Sequence, residues 1–109
     1  MTDTTTTIAD LKKLVAKFIA DRNWEQYHLS KNLAMSIAIE AAELMEYFQW
    51  KDHTESQLAL SHPPTKAEIG SELADVLIYA ISFALQADLD ISEMIQAKIE
   101  QNESRFPPL

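Results

Sequence analysis

Apolar residues recur along this chain at intervals of three and four, the spacing of helices with one buried face. Ile8, Leu11, Val15 and Phe18, joined by Leu14 and Ile19, form a first stripe that ends near Trp24, with Thr6 or Thr7 placed to cap it. The stretch "NWEQYHLSKN" breaks the pattern and reads as a connection, after which Ser30 is the expected N-cap of a second helix over Lys31 to Trp50. "KDHTESQLALSHPPTK" reads as a polar loop with one short helical turn at Glu55 to Leu60, closed by Pro63 and Pro64. Thr65 followed by Glu68 is a capping-box pattern opening a third helix to about Ala87. Asp90 with Glu93 repeats it and opens a fourth, running to about Arg105, where "FPPL" forbids continuation. No segment alternates with period two. The expectation is one all-α domain over residues 1–109, a four-helix bundle.

The second and third helices carry the same anomaly. At about 100° per residue, Glu43, Tyr47 and Trp50 fall within about 80° of Glu40 on one side. The apolar arc of Ile37, Leu44, Phe48, Ala41 and Met45 spans about 40° to 140° on the other. In the third helix Asp75 and Tyr79 stand to Glu72 as Glu43 and Tyr47 stand to Glu40, beside an arc of Ile69, Val76, Leu73, Ala80, Ala84 and Leu77. A single Glu-x-x-Glu pair is ordinary on a solvated helix margin; two pairs, each followed by an aromatic on the same stripe, are not. Packed antiparallel through their arcs, the two helices bring four carboxylates together. Two carboxylates about 6 Å apart repel by roughly 3 kcal/mol at an effective dielectric of 20, so the set must be protonated, splayed or bridged by a cation. Oxygen donors alone select a hard divalent ion, Mg²⁺ or alternatively Mn²⁺. Di-iron bundles use Glu-x-x-His motifs. Here His28, His53 and His62 all fall in expected connections.

Composition narrows the rest. Cysteine is absent, which excludes disulfides and thiolate metal sites. The one glycine, Gly70, leaves no glycine-rich phosphate loop. A net charge of −8 disfavours nucleic acid as a partner. No apolar run approaches the ~18 residues of a membrane span, and "MTDTTTTIADLKK" has no signal-peptide pattern, so a cytoplasmic protein is expected. A chain of this size buries roughly 65% of its unfolded surface. So many apolar stripes in so short a chain point to self-association. On the fourth helix Lys98, Asn102 and Arg105 share one stripe, a cation, an amide and a guanidinium suited to polyphosphate oxygens. The helix dipole alone also favours a cation at Arg105.

Glu40-x-x-Glu43, 28 residues, then Glu72-x-x-Asp75 resembles the metal-binding signature of the all-α NTP pyrophosphatase superfamily, the MazG-like proteins. "DRNWEQYHLSKNLAMSIAIEAAELMEYFQWK", "SELADVLIYAISFA" and "KIEQNESRF" resemble its dCTP pyrophosphatase branch, and the resemblance covers nearly the whole chain. It implies a helical fold assembled as a homodimer or dimer of dimers. The implied activity is Mg²⁺-dependent hydrolysis of a nucleoside triphosphate to the monophosphate and pyrophosphate. Carried over by position, Glu40, Glu43, Glu72 and Asp75 become metal ligands, and Glu40 or Glu43 takes the proton of a water attacking the α-phosphorus. Trp24, Trp50 and Tyr79 border the base; Lys98, Asn102 and Arg105 face the phosphates; Lys31 and Asn32 also face the nucleotide. Family motifs often begin with a double glutamate, and Ile39 stands in that place, removing one further ligand or base. A hydrolase of dUTP or modified nucleotides, serving pool sanitation, and a non-catalytic helical interaction module are the alternatives.

Overall fold

The first helix starts where threonine and aspartate close a reciprocal cap. In the computed structural model, which describes residues 1–109, the Asp10 amide donates to Thr7 Oγ1 at 3.1 Å and the Thr7 amide to Asp10 Oδ2 at 3.0 Å. This opens α1, Ile8–Asp21. A 3₁₀ turn follows over Glu25–Tyr27, then α2 (Ser30–Glu46), α3 (His53–Ser61), α4 (Pro63–Gln86) and α5 (Ile91–Arg105). The chain is all-helical with five helices, one more than the sequence pattern suggests. The extra one is α3, where the sequence pattern suggests a single short turn. Asp52 caps it, accepting from the Glu55 amide at 2.9 Å.

Other boundaries move for local reasons. Leu29, not Ser30, is the N-cap of α2, and no side chain caps it. That helix stops at Glu46, and Tyr47 to Trp50 tighten into a turn whose Phe48 and Lys51 amides reach back three residues, at 2.9 and 3.0 Å. Pro63 and Pro64 open α4 instead of closing the loop before it, because a fixed φ and a missing N–H suit a first helical turn. Thr65 therefore lies inside the helix, with its hydroxyl 2.8 Å from His62 Nδ1. Asp90 caps α5 as expected, at 2.9 Å from the Glu93 amide. With glycine at hand only as Gly70, the left-handed residues that end α1 and α4 are Asn23 and Asp88, each at φ 54°. Trp24 and Leu89 then donate back to Ile19 and Ala84 at 3.1 and 2.9 Å, closing the helices in Schellman motifs.

The core is the antiparallel pair α2 and α4, with α1 and α3 laid against α4. Leu33 and Ile69 are buried between the pair, and Val15 and Ile19 bury the inner face of α1. The phase of that pair differs from the expected one. Glu40 and Glu72 lie within the covered stripes, among Leu33, Ile37 and Leu44 on α2 and Ile69, Val76 and Phe83 on α4. Much of the apolar arc assigned to the core is left outside: Met45 is 66% exposed, and Leu73, Leu77 and Ala80 are exposed too. Each arc is wider than one facing helix covers. Gly70 has no atom within 4 Å of where a Cβ would stand. On α5, Met94, Ile95 and Ile99 face water.

The chain accordingly exposes 8503 Å². A compact chain of its mass would expose about 6,100 Å². Its radius of gyration is 16.5 Å, against about 13 Å for a compact domain of this length. No helix is long and apolar enough to cross a membrane.

Candidate metal and nucleotide site

Antiparallel packing sets Glu40 and Glu43 of α2 opposite Glu72 of α4. One carboxylate oxygen from each lies within 4.8 Å of the other two. Glu40 Oε2 and Glu72 Oε2 are shut off from solvent with no hydrogen-bond partner. Burial pushes the Glu40 carboxyl up, and the adjoining Glu43, by hydrogen bonding and by charge, pushes it further, followed by Asp75 and Glu72. Glu72 is raised likewise, by burial first, then by Glu43, Asp75 and Glu46. Asp75 thus acts on both through its charge, although its oxygens stand outside the close group. No basic side chain answers these acids: the one ion pair in the chain joins Lys17 to Asp21 on α1.

Orphaned buried oxygens and an all-oxygen donor set fit a hard divalent cation, which would satisfy both lone oxygens and relieve the repulsion.

An aromatic column flanks one end of the acids. Phe18 meets Trp24 edge-on at 5.7 Å, Trp24 lies nearly parallel to His28 at 6.4 Å, and His28 faces Tyr79 of α4 at 6.4 Å. His28 is the residue that the sequence pattern does not single out, since its place in a connection only argues against a metal ligand. The structure buries its Nδ1 without a partner, between two aromatic rings expected beside the base. The signal was its place four residues after Trp24, one tight turn away.

The remaining expected residues are dispersed. The Tyr47 hydroxyl donates to Glu68 at 3.4 Å, which fixes that level of the α2–α4 pair. Glu68 is eleven residues from Tyr79 along α4, about 16 Å at 1.5 Å per residue. Trp50 lies beyond Tyr47 on the far side and is 86% exposed, so one chain does not bring it to Trp24 and Tyr79. Asn32 is turned to the backbone, its Nδ2 donating to the Tyr27 carbonyl at 3.3 Å, and Lys31 is exposed. On α5, Lys98 and Arg105 are exposed and Asn102 half-buried.

Comparison with known proteins bears on this arrangement. The MazG-like family matches residues 35–107. The chain is 38% identical over 101 residues to dCTP pyrophosphatase 1 of Mus musculus, covering 93% of this chain and 59% of that protein. It is 37% identical over 101 residues to the Homo sapiens protein of the same name, with the same coverage. It therefore spans about 59% of the length of these curated relatives. A solved pyrophosphatase from Archaeoglobus fulgidus superimposes with a TM-score of 0.86 at 38% identity, over 93% of each chain. On these grounds the chain belongs to the MazG-like family.

Proposed function

We propose that this protein is a nucleoside triphosphate pyrophosphohydrolase dependent on a divalent cation, acting on dCTP or a related pyrimidine nucleotide. The observation that carries this is the group of Glu40, Glu43 and Glu72 with its two orphaned oxygens, on a chain similar to proteins named dCTP pyrophosphatase. Glu40, Glu43, Glu72 and Asp75 would hold Mg²⁺, or Mn²⁺ in its place. Bound there, the ion supplies positive charge to phosphate oxygens and acidity to a water. Glu40 or Glu43 accepts the proton of that water as its oxygen bonds to the α-phosphorus and the α–β bridging bond breaks. Lys98 and Arg105, with the Asn102 amide, bind the departing pyrophosphate. Trp24 and Tyr79, with His28 between them, form a wall against which a base stacks.

The reading includes one MazG-like domain over residues 1–109 that works as a self-associated assembly. The exposed surface exceeds that of a compact chain by about 2,400 Å², the scale of an obligate interface. Exposed Met45, Leu73 and Leu77, with the open space at Gly70, offer a face on which a second α2–α4 pair fits. A two-fold axis across such helices exchanges their ends. Trp50 of a second copy then comes to the Trp24–Tyr79 end, which reconciles two tryptophans expected at one base.

The test is product analysis with dCTP, with and without Mg²⁺, resolving pyrophosphate from orthophosphate. Mg²⁺-dependent dCMP and pyrophosphate are expected. Formation of dCDP and orthophosphate would contradict attack at the α-phosphorus. No product from any triphosphate would leave the non-catalytic module.

A further inference from the structure

One turn from the acids, a side-chain hydrogen bond joins the α2 stripe to α4. The Tyr47 hydroxyl donates to Glu68 Oε2 at 3.4 Å. Tyr47 stands four residues after Glu43, and Glu68 four before Glu72, so the pair forms the next rung of the same antiparallel ladder. Its backbone is tied down: the Lys51 ammonium donates to the Tyr47 carbonyl at 2.7 Å, holding the turn that ends α2. The ring is half-buried, and burial together with the charges of Glu68 and Glu72 pushes the phenol up, so it stays a donor.

The neighbouring rung works against the packing. Glu40, Glu43 and Glu72 repel one another across the same two helices, and their spacing decides how well they converge on one ion. A hydrogen bond one turn away opposes that separation.

We infer that Tyr47 and Glu68 clamp α2 to α4 beside the acid group, making Tyr47 a positioning residue for the divalent cation. The inference rests on the metal reading above. Tyr47 touches neither the ion nor the substrate; it acts through the spacing of the carboxylates, as outer-shell partners of metal ligands do.

The test is Mn²⁺ titration of the full chain, read from the paramagnetic signal of the free ion, with melting curves to verify folding. Tyr47→Phe should weaken Mn²⁺ binding about tenfold. Glu68→Ala should match it, whereas Glu68→Gln, whose amide oxygen still accepts the phenol proton, should stay near the parent. The double variant Tyr47→Phe/Glu68→Ala should lose no more than either alone, because both remove one interaction. Parent-like affinity in folded Tyr47→Phe would overturn the clamp. So would equal losses in Glu68→Gln and Glu68→Ala, which would mean that charge acts instead of the hydrogen bond. A parent protein that takes up no Mn²⁺ would overturn the metal reading itself, and the clamp's role with it.

Discussion

The α2–α4 pair and α5 are made of similar material and end in opposite situations. Both are apolar stripes with polar groups set into them. On α5, Lys98, Asn102 and Arg105 lie within about 40° of Ile91, next to Met94 and Ile95. On α2 and α4 the stripe is covered, and the groups it carries inward are acids with no counter-charge. On α5 the stripe is bare, and its cations stand in water. One region is limited by charge it cannot neutralise, the other by apolar surface it cannot cover. Each lacks what the other offers, and the proposed self-association would bring the two together.

The sharpest way to break this contrast is to remove one acid. Glu72→Gln keeps the size and the helix but takes a formal charge and a ligand from the group. Turnover of dCTP should fall about a hundredfold or more, the scale of losing one electrostatic stabiliser of a transition state. Circular dichroism should show helicity unchanged. Turnover near the parent's would detach the acids from the chemistry.

A second effect separates the regions without mutation. Glu40 and Glu72 hold protons more tightly in the folded chain than at the ordinary carboxyl value of 4.5. Between that value and the raised ones the folded state binds more protons than the unfolded state, so stability falls as pH rises across the interval. Below the interval this contribution is fully present. Without a divalent cation the melting temperature should therefore drop as pH climbs out of the carboxyl range. Free Mg²⁺ at a hundredfold excess over its dissociation constant should restore it at neutral pH by about 10 °C. A melting profile that ignores both pH and Mg²⁺ would mean the acids are not strained against one another.

The same contrast explains what the sequence made legible. Helix number and ends follow from local chemistry, and where the structure departs from the pattern two local rules compete: a proline pair suits the start of α4 as well as the end of a loop. The convergence of Glu40, Glu43 and Glu72 was readable because period and chain direction suffice to place them on facing stripes. Their depth was not. Apolar residues wrap more than half of α2 and α4, so no moment of the pattern says which part meets its own chain and which is left for another. Met45 and Leu77 look as much like core as Leu33 does, yet only Leu33 is buried. The separation of Trp24 from Trp50 escaped for a related reason. Trp50 shares the carboxylate stripe and Trp24 follows the end of the first helix, and only the antiparallel pairing of α2 with α4 shows that they lie on opposite sides of the acids.

The smallest effect probes α5 alone. Ile95 is 54% exposed, so Ile95→Ser removes little that the single chain has buried. At high dilution the melting temperature should change by less than the equivalent of about 0.5 kcal/mol, as for other surface substitutions. If a second copy covers the stripe, the same change deletes apolar area from an interface. Burying an isoleucine contributes about 1.5–3 kcal/mol in full, and roughly half of that is still available here. The concentration of half-association, measured by sedimentation velocity, should then rise about tenfold. A loss of melting temperature without a shift in association would place Ile95 in the chain's own packing, and the bare stripe of α5 would no longer stand against the covered one of α2 and α4.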